Sequence, residues 1–529
     1  MLPLSISPEN AGSRLVIPRP WLVAAEVALV FVVFFLQGAW PVPDVNEPYY
    51  LGKAIHFWNP DWIPNDTFLN SHDTHQVFYF TFGWLAVWLS PWLLAWFGRL
   101  LTWALLAWAW WRLSSALVPR RWFSVLTAAL FVCLLERFHM AGEWVVGGVE
   151  AKGFAYVLVF LGLEAVVRNR WNRAWLLLGA ASAFHVLVGG WSVVAAGIAW
   201  LLLRNDRPPL RSMWPAVLGG FVLSLPGLVP SLGLTWGIDR DIVGRANEIY
   251  VFNRLAHHLV PGRIPTGFLD RFLLLTLVWL ILDWITPGDA ARRRLRMFTA
   301  GALTIAGAGM AISLLEQVSP SLAAGLLRFY WFRLADVALP LAVAVAAAAY
   351  VVHLLRVQPR AGRWALAVAI LIAGLHVGGY ALSRPFRTEP RADRHRVPDY
   401  AAWRYACAWV ARSGNVPPDA RFLTPRMSQT FKWYAGRSEV VTWKDIPQDA
   451  RSIVRWWDEL NDVYATGSPV PSERWHASLA EVGAERLEWL GTKYGAGYVL
   501  TVSRPRLDLE VVYCNRSYVI YRLPDRRPD

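Results

Sequence analysis

WPVPDVNEPYYLGKAIHFWNPDWIPNDTFLNSHDTH, residues 40–75, is the longest polar interruption in the first 200 residues of the chain. It sets five acids (Asp44, Glu47, Asp61, Asp66 and Asp73) against one lysine, Lys53, in a chain whose formal net charge is +14. An apolar run, Trp21 to Ala39, precedes it, and long apolar segments follow. A carboxylate-rich loop pinned between membrane spans is where a membrane enzyme would place a general base or a metal ligand. The plain alternative is a solvated outer loop that avoids positive charge, and composition alone leaves both open.

Working outward, the whole chain is apolar: 55% of its 529 residues are hydrophobic and 17% charged, against about 25% charged in soluble domains. Mean hydropathy is +0.32. Apolar runs of span length recur, as transmembrane helices require, and predict an α-helical polytopic membrane protein. The basic pI of about 9.9 does not indicate nucleic-acid binding, because most basic residues sit in short clusters between apolar runs, where the cytoplasmic bias of Lys and Arg accounts for them. The 32 tryptophans suit interfacial belts. Cys133, Cys407 and Cys514 form no disulfide framework; a Cys407–Cys514 bridge is an option that nothing requires. The first apolar run is longer than a signal-peptide core and reads as an uncleaved span.

Charge decides the topology. Arg14 and Arg19 before the first span, and acids after it, place the loop at 40–75 outside. Val77–Leu117 is too long for one span and contains Pro91. Dividing it into an amphipathic surface piece (77–90) and a span (92–111) puts Arg112, Arg120 and Arg121 inside. RNRWNR (168–173), RNDRPPLR (204–211), ARRRLR (291–296) and RVQPRAGR (356–363) then fall on the cytoplasmic side as well. About eleven spans result: 21–39, 92–111, 122–136, 150–167, 174–187, 189–203, 213–232, 268–286, 298–316, 329–352 and 364–383. The odd count leaves the C-terminus extracytoplasmic. The expected division is 1–385 for the membrane domain and 386–529 for a small α/β domain. In the latter, 421–425, 439–443, 497–502, 509–514 and 517–523 read as strands, and 399–413, 449–465 and 477–494 as helices. No internal repeat is evident, which weighs against a secondary transporter.

The loop continues NEPYYLGKA (46–54), and this resembles the first outer loop of the GT-C superfamily, integral-membrane glycosyltransferases that use polyprenyl-phosphate-linked sugars and include protein O-mannosyltransferases and aminoarabinose transferases. Members open that loop with a DEPxY- or DExxY-like pattern. Glu47 and Tyr50 stand in register, whereas Asn46 occupies the position of the usual catalytic aspartate; Asp44, two residues earlier, could take that role, or the chemistry could be altered or lost. The resemblance is architectural over 20–385 and motif-level over 44–56. The block TPRMSQTFKWYAGRSEVVTWKDIP (424–447) looks like uncharacterised bacterial relatives. The resemblance implies a GT-C-like bundle in the inner (cell) membrane, with its site on the periplasmic side. The expected reaction moves a hexosyl or pentosyl group from a polyprenyl-phosphate carrier to a lipid, glycan or protein acceptor.

Such a transfer needs a carboxylate to take or orient the acceptor's proton and cations facing the departing phosphate. Asp44 backed by Glu47 is the candidate for the first task; capping of the following helix is the structural alternative for Asp44. Tyr50 and Lys53 belong to the same motif and are expected on the substrate side. For the phosphate, Arg328 and Arg333 in LLRFYWFRLADVALP flank the outer mouth of the tenth span, and an arginine fork grips phosphate bidentately. Snorkelling or an Arg333–Asp336 pair would explain them equally. In ERFHMAGEWVVGGVEAK (136–152), His139, Glu143, Glu150 and Lys152 crowd the membrane boundary, where ionisable groups are functional candidates. Gly147-Gly148 permits a close backbone approach there. His139 and Glu143 are spaced i,i+4, but no HExxH-like motif appears, so a divalent cation remains only an option. His185 is a low-ranked contact, and Trp433, Tyr434 and Trp443 are sugar-stacking or core aromatics. Two other classes stay open: a transporter or flippase for lipid-linked sugars, and a non-catalytic membrane scaffold.

Overall fold

Each apolar stretch read as a span is helical in the computed structural model, which describes residues 20–524. Arg14 and Arg19, used to orient the first span, lie outside the described residues. Helix α1 (Pro20–Gly38) leads into the loop, which holds α2 (Glu47–Trp58) and the short α3 (Gln76–Thr81). A 3-10 turn at Gly83–Val87 completes the surface piece expected before Pro91. There follow α4 (Pro91–Leu117), α5 (Phe123–Phe138), α6 (Ala151–Val167), α7 (Trp171–Phe184), α8 (Val186–Leu202) and α9 (Trp214–Gly233). The next loop carries α10 (Arg240–Glu248) and α11 (Ala256–Leu259), ahead of α12 (Thr266–Ile285), α13 (Ala290–Ser313), α14 (Pro320–Leu327), α15 (Arg333–Val357) and α16 (Pro359–Ser383).

Six helices are long and apolar enough to cross a membrane: α1, α4, α9, α13 with its following turn, α15 and α16. Helix α12 has the length but carries Asp270, Arg271 and Asp283. The other four, α5 to α8, are shorter. Helix α6, 17 residues long, is buried along nearly its whole length, so protein rather than lipid surrounds it. The 14-residue α7 is held by backbone proximity to α9: a Cβ on Gly179 would lie 2.0 Å from the Gly220 carbonyl oxygen. Small residues permit that approach between membrane helices. Ser90 and Pro91 start α4, with the Ser90 hydroxyl accepting from the Leu93 N–H at 3.4 Å. The α7–α8 break falls at His185, not at 188 as expected, because His185 Nδ1 accepts the Val188 N–H and caps α8.

After α16 come α17 (Tyr400–Ala411), α18 (Phe431–Ala435), α19 (Ala450–Tyr464) and α20 (Ala484–Tyr494). They surround a five-stranded sheet of order β2-β1-β3-β5-β4, formed by β1 (Arg421–Leu423), β2 (Ser438–Glu439), β3 (Tyr498–Val502), β4 (Glu510–Cys514) and β5 (Tyr518–Arg522). β1 runs parallel to β2 and β3, and β5 is antiparallel to β3 and β4. Alternation along the strands gives the sheet two apolar faces. Phe422, Leu500 and Ile520 pack under α17, and Leu423, Val499 and Tyr521 pack under α19 and α20. The stretch 439–443 leaves the sheet after Glu439, so the expected second strand is shorter than its β-branched composition implied. All three cysteines are free, Cys407 buried and Cys514 exposed, so no Cys407–Cys514 bridge forms.

The sheet domain packs on the first loop. Lys432 of α18 is buried among Asp66 (3.2 Å), Glu439 (3.0 Å) and Asp445 (2.5 Å). Gln429 donates to the Val45 carbonyl, and the Thr74 hydroxyl donates to Gln448.

Candidate functional site

A cavity of about 460 Å³ lies where the first loop, the α5–α6 loop, the α7–α8 joint, the end of α9, residues 250–258, residues 328–333 and residues 444–448 converge. Successive long helices alternate in direction, so these segments share one end of the bundle. The basic clusters 168–173, 204–211, 291–296 and 356–363 occupy the opposite end. Of the ten candidate residues, Tyr50, Glu143, Glu150, Lys152, Arg328 and Arg333 line the cavity; Asp44, Glu47, Lys53 and His139 do not.

Asp44 and Glu47 are fully buried behind the cavity wall. Arg99 of α4 grips Glu47 bidentately, Nε to Oε1 and Nη2 to Oε2, both at 2.7 Å. Glu47 also accepts the amide N–H groups of Asp44 (2.7 Å) and Val149 (3.0 Å). Asp44 accepts the N–H groups of Val45 (2.8 Å) and Gly148 (2.9 Å), and Arg391 lies 3.5 Å away. Burial pushes the Asp44 carboxyl up, but Arg391, Arg99 and these amides outweigh it and hold it below the ordinary range. A carboxylate held ionised and walled off is a poor proton acceptor. Asp44 and Glu47 hold the backbone of 147–149 through these amides, and neither side chain lines the cavity. Gly148 is required: a Cβ there would lie 2.7 Å from the Asp44 Cβ. Nor does Asp44 cap α2, whose N-cap is Asn46 with no side-chain cap bond.

Lys53 also turns away from the cavity, donating to the Ser71 carbonyl (2.6 Å) and hydroxyl (2.8 Å) and bracing α2 against its own loop. His139 follows the end of α5, so the i,i+4 spacing to Glu143 places nothing on a common helical face. Its ring stacks on Phe268 and lines a separate cavity of about 160 Å³, and Gly142, Glu143 and Trp144 wall both cavities.

Inside the main cavity the side chains form one connected set. Arg333 Nε is 2.8 Å from Glu143 Oε2, and its guanidinium lies over the Tyr330 ring at 4.0 Å. Lys152 Nζ sits 3.3 Å from Glu143 Oε1, 3.6 Å from Glu150 Oε1 and 4.1 Å from the Trp144 ring centroid. The Tyr156 hydroxyl donates to Glu143 as well. Arg333 thus pairs with Glu143 and not with Asp336, which accepts the N–H groups of Met140, Ala141 and Glu143 and pins that loop to α15. Glu143 is saturated. Glu150 is not: Asn46 Nδ2 reaches its Oε2 at 3.4 Å, while Oε1 accepts no hydrogen bond among the described residues. Burial raises the Glu150 carboxyl, Glu143 adds to the rise, and Lys152 and Arg333 offset only part of it. Asn46 therefore lines the cavity and steadies Glu150.

Three further groups complete the site. Arg254 Nε donates to the Trp443 carbonyl, leaving the rest of its fork for the cavity. Arg328 donates to Asn247. Lys444, from the sheet domain, has no hydrogen-bond or ion-pair partner among the described residues. Burial, then repulsion from Arg254 and Arg396, brings its ammonium down to about 7. The lining holds Lys152, Arg254, Arg328, Arg333 and Lys444 against Glu143 and Glu150, an excess of three positive charges when Lys444 is protonated and of two when it is not. The one signal for Lys444 in the sequence is the Lys-Asp pair following Trp443 beyond a short strand. His185, ranked low, faces the cavity with Nε2 3.3 Å from Arg333 Nη1. Trp433 and Trp443 pack against apolar clusters and Tyr434 donates to Asp393, so none of the three faces the cavity.

Among the described residues no three His, Cys, Asp or Glu side chains are grouped to hold a metal ion.

Fold and site together define a polytopic helical membrane protein with a cationic cavity at one end of the bundle, part-roofed by an α/β domain. DUF6798, a domain of unknown function, matches residues 401–463, and no curated protein matches. The structure is similar to that of the Archaeoglobus fulgidus oligosaccharyltransferase in the apo form, at 13% identity and TM-score 0.47, covering 92% of this chain and 70% of that one. It is also similar to AglB from the same organism in complex with an inhibitory peptide and a dolichol-phosphate (12% identity, TM-score 0.44, covering 91% and 69%). A further likeness is to ArnT from Cupriavidus metallidurans bound to undecaprenyl phosphate (15% identity, TM-score 0.42, covering 95% and 97%). At this level of likeness the functional reading has to come from the cavity's own side chains.

Proposed function

We propose that this protein transfers a glycosyl group from a polyprenyl-phosphate carrier to a lipid, glycan or protein acceptor, in the cavity at the extracytoplasmic face of the cell membrane. The observation that carries this reading is the pairing, in one cavity, of excess cations with a carboxylate, Glu150, whose Oε1 accepts no hydrogen bond among the described residues and has Lys152 Nζ beside it at 3.6 Å. An acceptor hydroxyl attacks the anomeric carbon as the bond from that carbon to the phosphate oxygen breaks. Glu150 accepts the hydroxyl's proton through Oε1, which accepts no hydrogen bond among the described residues, and its raised carboxyl is the stronger base for that task. Arg333, Arg254, Arg328 and Lys444 face the charge that develops on the leaving phosphate, in fixed positions that need little reorganisation. Lys152 and Glu143 hold Glu150 and Arg333 in place. A transporter needs ionisable groups strung along a path through the bundle, whereas these gather at one end of it, from loops, helix ends and the sheet domain.

The test is turnover in membranes supplied with polyprenyl-phosphate sugars. Glu150→Gln is expected to lose about 10²- to 10⁴-fold in rate, the range for removing a positioned acid–base group, while the protein stays folded. Wild-type turnover in Glu150→Gln would remove the base from the scheme.

A further inference from the structure

Five arginines, Arg384, Arg387, Arg391, Arg394 and Arg396, crowd the thirteen residues that follow the last span. If the loop at 40–75 is outside, this segment is outside too, where juxtamembrane Lys and Arg are normally scarce. The fold concentrates the charge further. Four of the guanidinium groups surround one indole: Arg387 at 3.9 Å from a Trp40 ring centroid, Arg384 at 4.2 Å, Arg391 at 5.3 Å and Arg394 at 5.8 Å. Stacking on an indole face stabilises each cation only modestly, and like charges held this close repel.

The chain neutralises little of this cluster. Arg384 donates from Nε to the Leu36 carbonyl at 2.9 Å and from Nη2 to that of Gln37, closing the end of α1, and its buried Nη1 has no partner. Arg391 approaches Asp44 at 3.5 Å. The side chains of Arg387 and Arg394 make no hydrogen bond or ion pair among the described residues. Glu136 is nearby but is occupied by Gln37, Tyr380 and His376. Leu382 and Phe386, 77% and 85% exposed, flank the cluster at the end of α16, a helix whose apolar window is only 11% buried in protein. Apolar side chains beside unpaired guanidinium groups, at the end of a lipid-facing helix, match a bilayer surface better than an acidic protein.

We infer that the arginines caging Trp40 form a binding site for the phosphate group of a membrane lipid, separate from the main cavity. This inference does not depend on the transfer reaction. Arg387 and Arg394 supply the unpaired donors, and Arg384 and Arg391 fix the indole beneath them. Because Arg391 also touches Asp44, which holds Gly148, the site is joined to the cavity wall through two contacts.

The test is lipid retention by the full-length protein in native mass spectrometry, after exposure to phosphatidylglycerol or phosphatidylcholine in detergent. Wild type is expected to retain phosphatidylglycerol preferentially. Arg387→Gln with Arg394→Gln should weaken that retention about 30-fold, or about 2 kcal/mol for two juxtamembrane arginines. Both are surface positions, so folding should survive, and unchanged thermal unfolding checks this. Equal retention by the double variant overturns the site. An equal loss in Arg360→Gln with Arg363→Gln, at the opposite end of α16, overturns it too, as an effect of net charge alone. Full displacement of the lipid by inorganic phosphate at matched concentration overturns the assignment to a lipid.

Discussion

Lys444 shows at the residue scale how burial creates chemistry that composition does not announce. Its ammonium sits beside Arg254 and Arg396 and is brought down to about 7 from an ordinary 10.5. Below about pH 7 it is charged and adds to the cavity's hold on a phosphate; as pH rises through that value the contribution is lost. Folding carries the opposite sign. Between about 7 and 10.5 the unfolded chain binds a proton that the folded chain does not, so this residue makes stability rise with pH across that window. Thermal unfolding of Lys444→Met against pH should lack that rise. Superimposable curves for variant and wild type would show that the ammonium is solvated. Glu150 makes the complementary case: its neighbour Glu143 is as acidic in sequence, and only the partners of each, full for one and open for the other, separate their roles.

At the element scale, α2 and α4 are locked by one ion pair. Glu47 and Arg99 are both 0% exposed, and removing one partner from a buried pair leaves an uncompensated charge costing about 3–5 kcal/mol. Arg99→Met should lower the midpoint of thermal unfolding in detergent accordingly, and adding Glu47→Leu should recover much of the loss. A single variant as stable as wild type would mean that water reaches Glu47. The pair also shows what the acidic motif does in the fold. NEPYY supplies one carboxylate, Glu47, and Arg99, 52 residues away, holds it as an anchor. Asn46, which looked like the defect in the motif, is the motif residue that contacts Glu150.

At the scale of the whole molecule, the sheet domain is part of the site. It delivers Lys444 and Gln448 to the cavity and is fastened to the first loop through Lys432 and three carboxylates. Lys432→Met leaves Asp66, Glu439 and Asp445 buried without their shared cation. Limited proteolysis should then cut between 384 and 399 faster than in wild type, with turnover falling even though no cavity residue is altered. Unchanged proteolysis would show that the remaining contacts, such as those of Gln429 and Gln448, suffice.

The sequence by itself determined the helices, their order and their alternation, because span length, apolar runs and punctuation by Ser90-Pro91 or basic clusters are local signals. It also determined the two-faced sheet, since alternation along each strand is written residue by residue. Six of the ten candidate residues line the cavity, all in or beside the outer loops. What only the tertiary structure decided is which charges meet. Arg99 meets Glu47, Asp336 meets the 140–143 amides, and Lys444 meets the cavity across nearly 300 residues from Glu150. In a buried site the partner sets whether a carboxylate is a base or a brace, and partners distant in the chain leave no periodicity to read.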